Sequence, residues 1–77
     1  MNEKLLSVEC DASREVVELH MDRRGLEYLI DVLTRLQHAS PPEHLHLMSP
    51  EWGGDGLTGL PQNPDYVAAK HLKVCLW

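Results

Sequence analysis

The sequence predicts a two-layer α+β domain in which one amphipathic helix packs on a small, mostly antiparallel sheet, in the order β-β-α-β-(β)-β. Three observations predict it. Segments at both ends of the chain and in its middle alternate apolar and polar residues at the strand period of two. One segment only, Leu26 to Leu36, repeats apolar residues at helical spacing. A lone helix can bury its apolar stripe against just one face of a sheet, which gives two layers.

The elements follow in order. Lys4 to Cys10 places Leu6, Val8 and Cys10 on one side and Leu5, Ser7 and Glu9 on the other, a half-buried first strand. Asp11-Ala-Ser13 supplies turn chemistry. From Arg14 to Met21 the alternation resumes, with Val17, Leu19 and Met21 facing one way and Val16, Glu18 and His20 the other, so the two strands form a hairpin. Asp22 is placed to cap the helix by accepting from free backbone N–H groups, while Gly25 in the first turn weakens that helix slightly. Leu26, Leu29, Ile30, Leu33 and Leu36 form its apolar stripe, and Glu27, Asp31, Thr34, Arg35 and His38 its wet side. The helix must stop before Pro41-Pro42, because proline lacks the donor and disfavours helical geometry in the preceding residue. Glu43 to Met48 is the third strand. A short irregular strand fits around Leu57-Thr58, Pro61-Gln-Asn-Pro64 is a loop, and His71 to Trp77 is the last strand, with Leu72, Val74 and Leu76 opposite His71, Lys73, Cys75 and Trp77.

At 77 residues the chain reads as a single domain, 1–77, near the size at which one core still supports a fold. Phe is absent, so Leu, Val, Ile and Met must fill that core, with Tyr or Trp as further candidates. Seven Lys and Arg stand against twelve Asp and Glu, a net charge of −5 that argues against nucleic-acid binding and suits a basic partner or plain solubility. Cys10 and Cys75 lack ligand-like spacing and read as buried reduced thiols. No signal peptide and no membrane-length apolar run stands out, so the expected location is cytoplasmic, with no membrane partner.

Function is expected in the stretch His44-Leu-His-Leu-Met-Ser-Pro-Glu-Trp-Gly-Gly-Asp-Gly-Leu57, which joins an alternating strand to a loop carrying an indole, three glycines and two carboxylates. Three chemistries compete for it. Five histidines invite a metal reading: His44 and His46 share a strand face, and His20 or His71 could join them, although no CxxC or HExxH pattern is present. Catalysis would need a nucleophile beside a base or paired carboxylates in a pocket. Glu51, Asp55 and His46 offer only a fragment of that, and the glycines lack the Lys and Ser or Thr of a phosphate loop. The expectation is therefore no enzyme and no cofactor. In a binding reading, Trp52 is the anchor, His44 and His46 lie beside it, and Glu51 and Asp55 meet Lys or Arg of a partner. Against it stands a core role in which Trp52 folds back into an aromatic-poor interior. Trp77 closes the sheet edge or helps form a homodimer.

The same residues resemble the predicted immunity protein 32 family of bacterial polymorphic toxin systems. The resemblance is carried by Leu45, His46, Leu47, Met48, Trp52, Gly53, Gly54 and Leu57 of the loop stretch. Val17-Glu-Leu-His-Met-Asp-Arg-Arg-Gly25-Leu26 before it and His71-Leu-Lys-Val74 after it add order and spacing. It implies a small cytoplasmic protein that binds a cognate toxin domain, basic if that toxin acts on nucleic acid, and blocks it; the expected mode is that this loop and the histidine face cover the toxin's active site. The alternative is a metal- or pH-responsive module built on His20, His44, His46 and His71 without a toxin partner. The motif could also serve the fold while other surface residues select the partner.

Overall fold

The computed structural model describes residues 3–77. Its elements are β1 (Leu6–Cys10), β2 (Val17–Met21), α1 (Arg23–Gln37), β3 (Glu43–Met48), a single 3₁₀ turn (Pro50–Trp52), β4 (Val67–Ala68) and β5 (His71–Leu76). All strand pairs are antiparallel: β2-β1-β4 form one sheet and β3-β5 a second. The chain crosses between them at Ala69-Lys70, where Ala69 N–H donates to Val8 O (2.7 Å) and Ser49 N–H donates to Lys70 O (2.9 Å). The α+β class is the predicted one, with the strands divided between two small sheets where the sequence predicts a single sheet.

Local chemistry explains the turns. Asp11 organises the hairpin: one carboxylate oxygen accepts from Glu15 N–H (3.0 Å) and Val16 N–H (3.2 Å), the other from the Ser13 hydroxyl (2.7 Å). Asp22 caps the helix through Gly25 N–H (2.7 Å). The core is small, with Leu6, Val32, Leu47 and Leu57 at its centre and Met21, Tyr28, Leu29, Leu45 and Leu72 packed around them.

Four expectations change. The minor strand is not at Leu57-Thr58 but at Val67–Ala68, which pairs with Cys10 and Glu9. Thr58 nevertheless lies against the start of β1, its N–H donating to Leu6 O at 2.7 Å and its hydroxyl accepting from Leu6 N–H at 3.1 Å. The buried stripe of α1 runs through Gly25, Val32 and Leu36, leaving Ile30 and Leu33 about half exposed. Of the apolar face of β2, Val17 and Leu19 are exposed because the helix covers only the Met21 end. Cys75 is exposed and Cys10 half-buried, both as free thiols. The parity of β5 sends Cys75 outward with His71 and Lys73.

The polar face of β1 also differs from expectation. Ser7 and Glu9 are completely buried. The loop after Thr58 returns over them, and Glu9 accepts from the Ser7 hydroxyl (2.6 Å), Gln62 N–H (2.6 Å) and Asn63 N–H (3.0 Å). His20 and Glu18 lie beside it on β2, with His20 Nε2 2.8 Å from a Glu18 oxygen and 3.9 Å from Glu9. A buried carboxylate is tolerated only when hydrogen-bonded, and here it fastens a loop that has little regular structure of its own.

Candidate binding face

The loop after β3 is held by backbone hydrogen bonds that point back to the strand end. Trp52 N–H and Gly54 N–H donate to Ser49 O (2.9 and 3.1 Å), Gly53 N–H to Pro50 O (2.9 Å), and Gly56 and Leu57 N–H both to Met48 O (3.1 Å). Gly53 closes the 3₁₀ turn at φ +84°, a left-handed conformation that glycine adopts without cost. At Gly54 the chain passes so near the strand that an added Cβ would lie 2.7 Å from Met48 O and 2.8 Å from Met48 Cβ. Leu57 then enters the core. We expect Gly54→Ala to lower stability by about 2 kcal/mol, read as a fall in the urea midpoint, because backbone rather than a flexible side chain must give way.

That scaffold divides the motif by role. Leu47, Gly54 and Leu57 serve packing, while Trp52 is 59 % exposed, so it does not fill the core. Asp55 is exposed, and its backbone carbonyl accepts from the Lys4 ammonium, which also sits over the Tyr28 ring. Glu51 is drawn into the scaffold: its carboxylate pairs with Lys70 at 2.9 Å, and Lys70 also donates to Gly59 O at 2.7 Å. The Lys70 hydrogen bond holds the Glu51 carboxyl below its ordinary range. Beside the loop runs a groove with apolar Pro50, Leu57 and Leu60 and with Glu3, Lys4, Glu51 and Asp55 at its walls.

The outer face of β3–β5 carries the histidines. His46 pairs in register with Lys73, His44 with Cys75 and Met48 with His71. His46 Nδ1 lies 2.7 Å from His71 Nε2, a hydrogen bond in which one ring donates and the other accepts. The His44 ring meets His46 edge-on at 4.9 Å, and the Trp52 and His71 rings are 5.8 Å apart. Partial desolvation, and then the proximity of His71, His44 and Lys73, push the His46 pKa down and favour its neutral ring. Of the four histidines considered as metal ligands, the structure brings His46 and His71 together with His44 alongside. His20 stands apart on β2 with Glu18, beside Glu9 of β1. Trp52 thus continues a line of rings from His44 through His46 and His71, a continuity that strand alternation could place only as far as His44 and His46.

Among the described residues, Glu9, Glu18 and His20 are the one group of three potential ligands whose donor atoms all lie within 4.8 Å of one another. Sequence reasoning missed Glu9 altogether. Its signal is non-local, since two of its three donors, the Gln62 and Asn63 N–H groups, come from residues more than fifty positions away.

No described helix is long and apolar enough to cross a membrane. No curated protein and no solved structure matches the chain significantly. The family model for immunity protein 32 matches residues 16–71, from the start of the second strand through the exposed tryptophan and its glycines to the histidine that opens the last strand. With that match extending over most of its length, the chain belongs to the immunity protein 32 family, which implies neutralisation of a cognate toxin.

Proposed function

We propose that this immunity protein works in the cytoplasm as a non-enzymatic inhibitor, covering the active site of its toxin domain with the Trp52 loop and the adjoining histidine face. The observation that carries the reading is the 59 % exposure of Trp52 at the tip of a loop otherwise tied down by its backbone. A large, rigidly presented indole supplies contact area at small entropic cost, which is how interfaces concentrate binding energy. Asp55, with Glu3 at the groove beside it, suits a Lys or Arg of a basic partner, while Glu51 serves mainly as the brace that Lys70 holds. His44 and His46 flank the anchor and contribute contact area. The net charge of −5 steers a basic domain toward this protein over long range.

The test is affinity capture of the tagged chain from its own host at moderate and high salt, with mass spectrometry of what is retained. Co-expression of the captured domain with and without the chain follows. The reading expects a basic domain whose retention falls at high salt and whose toxicity the chain relieves. Retention of the chain alone, as a self-associated species, would overturn it.

A further inference from the structure

We propose that His46 and His71 form a binding site for a divalent late transition metal, Ni²⁺ or Cu²⁺, on the open face of β3–β5. This site does not depend on the toxin-binding reading. Two imidazole nitrogens from neighbouring strands, His46 Nδ1 and His71 Nε2, already stand 2.7 Å apart. Nitrogen ligands about 2.0–2.1 Å from an ion are separated by about 2.9 Å when they subtend a right angle and by about 3.3 Å at the tetrahedral angle. The rings must therefore part by a few tenths of an ångström from their hydrogen-bonded spacing, and Ni²⁺ and Cu²⁺ are the ions of choice because they stand high in the affinity order of divalent first-row metals for nitrogen ligands.

The chemistry balances without loss of a proton. The ring that donates in the hydrogen bond gives its facing proton to water and takes one back on its far nitrogen, so that the two N–H groups end on Nε2 of His46 and Nδ1 of His71 with no net proton lost. Two lone pairs are then offered to the ion in place of the N–H···N hydrogen bond, and water fills the remaining positions. Both rings are exposed, and each must turn until its lone pair points about 45° off the N···N line to meet a shared ion. The rings are anchored on paired strands, His71 opposite Met48 and His46 opposite Lys73, which limits the freedom lost on binding. The His44 ring lies 4.9 Å from His46 and is a neighbour of the site, not a required ligand. The Glu9, Glu18 and His20 group is the competing location. There Glu9 already accepts from three donors, two of them backbone N–H groups that a metal would leave unpaired.

Nickel is the probe of choice, because Cys75 is exposed and cupric ion would oxidise a thiol. Calorimetric titration of the whole chain with Ni²⁺ at neutral pH should show one site, weakened about tenfold or more in His46→Gln and in His71→Gln and unchanged in His20→Gln. Melting without metal checks that each variant is folded. In the unsubstituted chain, Ni²⁺ should broaden the NMR signals of His46, Met48, His71 and Lys73 while sparing Glu9, Glu18 and His20, a readout that needs no variant. Absence of saturable nickel binding, or loss of binding in His20→Gln with broadening around Glu9, would overturn the proposal.

Discussion

Gly25→Ala is expected to destabilise the protein by about 3 kcal/mol or more, enough to unfold a large share of a domain this small. The expectation runs against helix propensity, by which alanine in a helix gains about 1 kcal/mol over glycine. The reason is a close approach. Asp22 N–H donates to Leu5 O at 3.2 Å, which sets the first turn of α1 directly on the chain entering β1. A Cβ on Gly25 would lie 1.8 Å from Leu5 O and 2.9 Å from the Leu5 carbonyl carbon, both backbone atoms that cannot rotate away. Relief requires lifting the helix from β1 and opening the core around Leu6 and Met21. Urea denaturation followed by circular dichroism decides between the two effects, and a midpoint that rose on substitution would show that the helix can move at little cost.

Glu9→Gln is expected to cost about 3 kcal/mol, from the loss of charge-assisted hydrogen bonds in a buried site. Glutamine keeps the volume but turns one acceptor oxygen into a donor, which then faces a Ser7, Gln62 or Asn63 donor. A pH dependence accompanies this. Burial pushes the Glu9 pKa up, but the hydrogen bonds from Gln62, Ser7 and Asn63, with His20 nearby, together hold it below its ordinary value of 4.5. A carboxyl depressed on folding contributes stability that is full above its unfolded pKa and is lost as pH falls through the folded value. Stability of the unsubstituted protein should therefore decline below about pH 5, and Glu9→Gln should flatten part of that decline. Equal acid sensitivity in the two proteins would assign it to other carboxylates, such as Asp11 and Asp22, whose hydrogen bonds also lower their pKa values.

Much of this fold is legible in local pattern, and what is not depends on contacts between distant residues. The alternation of β3 and β5 and the Asp22 cap are local properties, and the structure has them where the sequence predicts them. The phase of α1 is different. Counting large aliphatics favours a stripe through Leu26, Leu29, Ile30, Leu33 and Leu36, of which Leu36 is buried and Leu29 packs on the core. Yet the helix turns to seat its smallest residue, Gly25, against Leu5, which brings Val32 inward and leaves Ile30 and Leu33 about half exposed. Backbone proximity outweighs side-chain hydrophobicity there. Ser7 and Glu9 read as a solvent face because nothing near them in sequence shows that Gln62 and Asn63 come back to bind them. Likewise β4 is two residues long and is defined by its pairing with β1, too short for any periodicity to reveal. At the candidate site the loop and the His44–His46 face were legible from residue type. The exposure of Trp52, the capture of Glu51 by Lys70 and the His46–His71 contact required the strand register.

Trp52→Ala tests most directly whether this loop is the binding face, through paired measurements of affinity for the captured toxin domain and of stability. Because the indole is mostly in solvent, its removal should leave the urea midpoint within about 0.5 kcal/mol of the original. Affinity should fall by about 2 kcal/mol or more, roughly thirtyfold. An unchanged affinity in the folded variant would contradict the account and would assign partner choice to another surface.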